Sequence, residues 1–598
     1  MQETVAERRL CQPLHGVEPL LDPAQQPLHI VCGIHAGAFQ IRNDPIVHAA
    51  PCFRRGHGKC RSQLHGVCAA VPIADDLAGG QPAFGVPLAV VGYSQQTAEQ
   101  RVARGWRCIR ARIWQLLPLS PTGYGDSPYQ SCSAFAGNPY FIDLDALKAD
   151  GLLTAAQLKA EKWGDDPLSV DYGTLYTSRY KVLRTAYAAW REKYAGLHGC
   201  AHYYPDNYYA FALANDSWLN DYALYMALKT ANGMKSWTEW PREYRLRDAA
   251  ALAKFAAEQE EEIGFWKFLQ YEFATQWKKV KDYANAKGVK ILGDIPIYVS
   301  ADSVDAWVGG ELFELDAQGG FARVAGCPPD YFSADGQLWG NPLYNWPYHK
   351  QTGYVWWIRR VRHALGIYDL LRIDHFRGFD TYWAIPAGSP TACTGKWEIG
   401  PRMDLFHALE AALGKLPIIA EDLGELFPSV RELLADSTFP GMKVLQFAFG
   451  GGDNEYLPHN YVKNSVVYPG THDNTTLTDW WENAATGKEK ANAAAYLHLT
   501  PCKPTAKEVA AVKPDAARIA LLRAALGSVA DRAIIPMPDW LGLGAEAHLN
   551  TPGKLGGNWT WRAAEGFDAE PLASRIQAEC EVYCRAKEPV EKEAKTSI

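Results

Sequence analysis

Seven short apolar runs, most of them separated by helical stretches, constrain this chain more than any other feature. They span residues 113–119, 290–299, 370–376, 416–423, 443–449, 465–468 and 533–538. Each is rich in Val, Ile and Leu and bounded by Gly, Pro or polar residues, the mark of a buried strand. Strands alternating with helices argue a parallel sheet, closed into a barrel or doubly wound. Three of the runs lead into acids: Asp374, Glu421 and, through Pro-Gly-Thr-His, Asp473. An acid at the end of a buried strand is costly unless something uses it. Acids at one end of successive strands are how a (β/α)8 barrel builds its active site. The expected fold class is therefore α/β, a (β/α)8 TIM-type barrel with long helical and loop insertions. Such a barrel needs eight strands. The eighth should precede Ile113, where none is legible, so the first strand reads as missing or replaced.

Composition breaks near residue 105. All 21 tryptophans lie from Trp106 onward, while residues 1–105 hold a single Lys, a single Tyr, eight Arg and five Cys. That segment shows neither a period of two nor one of 3.6. It reads as an atypical, irregular leader that packs poorly on the barrel. Cys52, His57, Cys60, His65 and Cys68 invite a zinc reading there, but their spacing matches no common finger. The expected division is a leader over 1–105, a catalytic barrel over 106–562 with a helical insertion at about 145–288, and a helical tail over 563–598.

The net charge of −7 gives no reason to expect nucleic acid or an anionic membrane as partner. The first residues carry acids and no apolar core, so no secretory signal is expected. Scattered cysteines then read as free thiols in a reducing, cytoplasmic setting.

Strand parity places Arg372 and Asp374 on one face and Leu371 and Ile373 on the other. The pair is either a structural ion pair or a nucleophilic carboxylate oriented by an arginine. Glu421 could cap the next helix, or be an acid whose proton is retained by neighbouring carboxylates. His472 and Asp473 could hydrogen-bond sugar hydroxyls or form an Asx-turn. Asp294 shares a face with Tyr298 and reads as supporting. The aromatic loop 326–342 is either a packed surface loop or a lid over a sugar chain. Carboxylates with no phosphate loop and no metal cluster point to glycosidic-bond chemistry.

At these motifs the chain resembles glycoside hydrolase family 77, the 4-α-glucanotransferases or amylomaltases. The matching stretches are WQLLPLSPTGYGDSPYQSCSAFAGNPYFIDL, GDIPIYVSADSVDAW, GCPPDYFSADGQLWGNPLYNW, LLRIDHFRGF, IIAEDLG, KVLQFAF, NSVVYPGTHDNTT and PGKLGGNWTWR, in order over roughly 113–562. The resemblance implies Asp374 as nucleophile, Glu421 as acid/base and Asp473 as transition-state stabiliser. It implies sugar contacts from Tyr124, Asp294, Arg372 and His472, and a covering loop with Gln337, Trp339 and Asn341. It implies α-1,4-glucans as substrates and no cofactor or metal. The retaining route would set the Asp374 and Glu421 carboxyls about 5–5.5 Å apart. A hydrolase of the amylase type and a non-catalytic glucan-binding barrel are the alternatives. Two departures stand out. The family's first-strand motif is absent from residues 1–112, and its usual THDNDT reads THDNTT, with Thr475 in place of the second Asp.

Overall fold

The computed structural model describes residues 112–195, 204–315, 318, 320–329, 334–424 and 426–586. The 1–105 leader, with its expected irregularity and its Cys/His spacing, lies outside the described residues. Among the described residues eleven strands are present: β1 (Ile113–Gln115), β2 (Lys290–Ile295), β3 (Arg323–Cys327), β4 (Gln337–Pro342), β5 (Leu370–Ile373) and β6 (Thr381–Pro386), then β7 (Lys396–Ile399), β8 (Ile418–Ala420), β9 (Gly441–Val444), β10 (Ser465–Tyr468) and β11 (Arg532–Ala533).

The seven runs read from sequence are β1, β2, β5, β8, β9, β10 and β11. All their pairings are parallel, in the orders β1-β2-β5-β8 and β9-β10-β11. Ala420 donates its N–H to the Pro440 carbonyl at 3.0 Å and brings β8 beside β9. The seven strands thus run in chain order around one interior. Parity sorts their side chains as expected. Leu292, Leu370, Ile419, Met442, Val466 and Tyr468 meet inside, joined by Ile113 and Ile534. Ile291, Leu371, Ile373, Ile418 and Ala420 face outward into the larger core shared with the helices.

The strands are shorter than the apolar runs. Pro118 and Pro296 lack the N–H that a ladder needs, so β1 and β2 stop before them and the chain turns into loops. The run at 443–449 leaves β9 at Val444 for a 3-10 turn over Leu445–Gly450. Every residue of β5, β8 and β10 is buried, whereas β1 and β11 are only partly so. Among the described residues no strand pairs with the outer side of either. Tyr468 Oη donates to Gln115 Oε1 at 2.9 Å, tying β10 to β1.

The aromatic segment 326–342 differs from the loop expected for it. Its described ends are strands: β3 and β4 pair antiparallel, within a four-stranded sheet of order β4-β3-β6-β7. Residues 330–333 lie outside the described residues. The Gly and Pro content hid this hairpin.

Between β1 and β2 the described residues are mainly helical. The longest helices there are α1 (Tyr172–Tyr194), α2 (Asp216–Ala231) and α3 (Glu260–Ala286). Asp171 caps α1 by accepting the Thr174 N–H at 2.9 Å. Glu260, Glu261 and Glu262 fill the first turn of α3, where the helix dipole favours negative charge. Two amides on α3 hold the loop after β1. Gln270 bonds both the N–H and the carbonyl of Gly137, and Gln276 accepts the Asp143 N–H at 2.6 Å. The helical insertion therefore fixes a loop at the barrel mouth. The C-terminal helix, α4 (Glu570–Val582), packs Ile576 into the core beside β10, so it is docked by its side chains. Cys132, Cys393, Cys502, Cys580 and Cys584 form no disulfide among the described residues.

Gly293 in β2 carries the ring of Tyr368, whose hydroxyl accepts the Leu119 N–H at 3.1 Å. A Cβ at Gly293 would lie 2.1 Å from that ring. Gly293→Ala is therefore expected to cost about 1–3 kcal/mol, read as a lowered denaturation midpoint against wild type.

Candidate active site

Each of the three acids is placed by a parallel strand. Asp374 follows β5, and its N–H donates to the Ile295 carbonyl at 3.0 Å. Glu421 follows β8, and its N–H donates to the Ile373 carbonyl at 3.1 Å. Asp473 lies beyond β10 in a turn closed by Asn474, whose Oδ1 accepts the Thr471 N–H and hydroxyl at 2.9 Å each. The Asx-turn and the functional reading of this loop thus hold together.

A buried relay runs beneath the acids. Arg372 donates from Nη1 to Asp294 Oδ2 at 2.5 Å, and its Nη2 lies 3.0 Å from Asp374 Oδ1. Arg372 and Asp294 are 3% and 0% exposed, while Asp374 keeps 30% of its side chain open to the cleft. The arginine is spent on two acids below the surface, and only Asp374 remains reachable. Tyr129 closes the relay, donating from Oη to Asp294 Oδ2 at 2.7 Å. Burial, reinforced by the charge of Asp294, pushes its phenol well above the usual range.

The acid pair is split in proton affinity. Burial, then the charge of Asp374, pushes Glu421 up to about 8, although Arg372 and two backbone N–H groups oppose this. Those N–H groups belong to His375, at 2.6 Å from Oε2, and Leu423, at 2.9 Å from Oε1. Burial raises Asp374 to about 6, with Arg372 the chief opposing influence. At neutral pH Asp374 is the ionised partner and Glu421 the protonated one.

His472 is stacked on Tyr129 with centroids 5.3 Å apart and rings 13° from parallel, and it leans on Trp559 at 5.8 Å. Asn550 supports Asp473, donating from Nδ2 to Oδ1 at 2.6 Å, and its N–H reaches the His472 carbonyl at 3.1 Å. On strand β4, Trp339 Nε1 donates to Gln337 Oε1 at 3.1 Å, and the indole stands edge-on to His375 at 4.9 Å.

Of the residues expected at the site, Asp374, Glu421, Asp473, Asp294, Arg372, His472, Gln337 and Trp339 belong to this linked set. Tyr124 and Asn341 do not join it. Tyr124 is 75% exposed, and Tyr129, five residues on, is the tyrosine that reaches the carboxylates. Asn341 is buried, with its amide engaged by the Val299 carbonyl and Gln130. Sequence reading missed Tyr129, Asn550 and His375. Tyr129 and His375 sit within quoted motifs without a periodicity that singles them out, and Asn550 comes from a distant turn. Thr475 spends its hydroxyl on Asp479 Oδ2 at 2.5 Å, and its carbonyl accepts from Gln446 Nε2 at 2.7 Å. The departure from THDNDT is absorbed locally.

A family model described as 4-alpha-glucanotransferase (glycoside hydrolase family 77) matches residues 92–567. A 4-alpha-glucanotransferase of Clostridium butyricum is 44% identical over 478 residues, covering 80% of this chain and 94% of the relative. One of Thermus thermophilus is 44% identical over 476 residues, covering 79% and 91%. Among solved structures, the amylomaltase of Streptococcus agalactiae in complex with acarbose superposes with a TM-score of 0.76 at 36% identity, covering 85% of this chain and 99% of that one. The chain belongs to the 4-alpha-glucanotransferase family.

The relay discriminates between the two tyrosines. Losing a hydrogen bond to a buried carboxylate costs about 1.5–3 kcal/mol, so Tyr129→Phe should lower kcat/KM by roughly 10- to 100-fold. Tyr124→Phe should leave kcat with a short maltooligosaccharide unchanged. Steady-state kinetics of the two variants on one donor checks this.

Proposed function

We propose that this protein is a 4-α-glucanotransferase that moves a segment of an α-1,4-glucan to the 4-hydroxyl of an acceptor glucan or glucose, with retained configuration. The observation that carries the reading is the placement of Asp374 and Glu421 at the ends of neighbouring strands β5 and β8, with the buried Arg372 against Asp374. Asp374 attacks the anomeric carbon while Glu421 gives its proton to the departing glycosidic oxygen. A glucosyl ester forms on Asp374. Glu421, now a carboxylate, takes the proton of the acceptor 4-hydroxyl as that oxygen attacks the same carbon and Asp374 leaves. Two inversions give net retention. Asp473, reachable from the cleft and held by Asn550, stabilises positive charge at the anomeric centre. His472 serves the sugar next to the cleavage point, while Arg372 and Asp294 hold Asp374 from below.

A plain hydrolase would use the same carboxylates with water as acceptor. Trp339 favours transfer, because it stands against His375, the residue after the nucleophile, where it can limit the approach of water. No helix among the described residues is long and apolar enough to cross a membrane. The substrate class, α-1,4-glucans, and a cytoplasmic location complete the proposal.

Incubation with a single maltooligosaccharide should yield a ladder of longer and shorter chains. Glucose release without redistribution would identify a hydrolase, and binding without turnover a non-catalytic barrel. The rate should be bell-shaped in pH. It should fall below about 6 as Asp374 gains its proton and above about 8 as Glu421 loses its own. Glu421→Gln should cost on the order of 10²- to 10⁴-fold, and Asp374→Asn nearly all activity. Substantial turnover in Asp374→Asn would remove it as nucleophile.

A further inference from the structure

We propose that His375 is a positioning residue that ties Trp339 of β4 to the acid/base, its backbone holding Glu421 and its ring holding Trp339. The inference rests on the reading of Glu421 as acid/base. His375 directly follows Asp374 and adopts the left-handed conformation, with φ 53° and ψ 48°. A residue with a side chain stays there only when its surroundings hold it. Here the twist aims the His375 N–H at Glu421 Oε2, 2.6 Å away. The turn is secured on both sides. The Phe376 N–H donates to the Glu421 carbonyl at 3.0 Å, and the His375 carbonyl accepts the Gly378 N–H at 2.9 Å.

The same twist presents the imidazole to β4. Its ring meets the Trp339 indole edge-on, at 4.9 Å and 88°. Gly378 leaves room for it, since a Cβ there would lie 3.1 Å from His375 Cδ2. Burial, and secondarily the positive charge of Arg377, holds the imidazole down at about 3. The ring is therefore neutral throughout the working range and acts by shape. Displacing Trp339 strips His375 of one wall, and the residue so loosened is the one that fixes the proton carrier. The packing of Trp339 and the placement of the proton are thereby coupled through one residue. This coupling would favour transfer, because Glu421 is best held when water is best excluded.

Two substitutions separate the halves of the role. Asn tolerates the left-handed conformation and keeps the N–H, but lacks the ring. His375→Asn should lower the transfer-to-hydrolysis ratio by roughly 2- to 10-fold, the worth of one aromatic contact, and leave the alkaline limb of the pH profile in place. A β-branched residue is strained in that conformation. His375→Val should lower the ratio and also shift the alkaline limb to higher pH, because the backbone N–H, turned away as the strained conformation relaxes, no longer favours the Glu421 carboxylate. Thermal melts check that both variants fold, and His375→Ala replaces the valine variant if it does not. Glu421→Gln is the control. Full activity in Glu421→Gln would remove the acid/base reading itself. An inactive Glu421→Gln beside an unchanged ratio in His375→Asn, or an unmoved limb in the folded valine or alanine variant, would overturn the role of His375 alone.

Discussion

The site depends on one buried guanidinium. Arg372 lies inside the barrel, where a lone charge could not be held, and it is tolerable only because Asp294 and Asp374 face it. Breaking such a buried arrangement by removing one partner typically costs about 3–5 kcal/mol. The arginine joins β2 to the end of β5, so the strands that form the interior and the acid that faces the cleft are held by the same contact. Tyr129 extends that contact to the loop after β1, and α3 holds that loop from behind through Gln270 and Gln276.

From this arrangement follows a division of labour between identical functional groups. Asp374 has an arginine directly beside it and a side chain open to the cleft. Glu421 is more deeply buried and sits near the negative charge of Asp374. Burial acts on both, and the arginine decides which ionises first. Asp473 stands apart at the rim, supported by Asn550 from a distant turn. Chemistry that needs one ionised and one protonated carboxyl at the same pH is met by burial and one arginine.

Much of this was legible in the residues. Period-two alternation identified the faces of Leu371–Asp374, and all seven apolar runs became parallel strands in chain order. Their ends were less legible, because Pro118 and Pro296 cut the ladder short inside runs that are apolar throughout. The hairpin of β3 and β4 was hidden by Gly and Pro, residues that mark loops by their conformational limits yet pair where a neighbouring strand, β6, offers a partner. At the site, the three carboxylates could be read because acids at strand ends are costly. Tyr129 could not be told from Tyr124, since both lie in one loop and only tertiary contact with Asp294 separates them. Asn550 is 77 residues from Asp473, a distance that no local rule spans.

The central claim is that Asp374 becomes covalently bound to sugar. An α-glucosyl fluoride donor needs little acid assistance, so with Glu421→Gln the first step should run while the second stalls. Mass spectrometry of a rapid protease digest should then find one glycosyl unit on the peptide containing Asp374, and none when Asp374→Asn is added. An unlabelled digest under conditions where fluoride is released, or a label on another residue, would contradict the account.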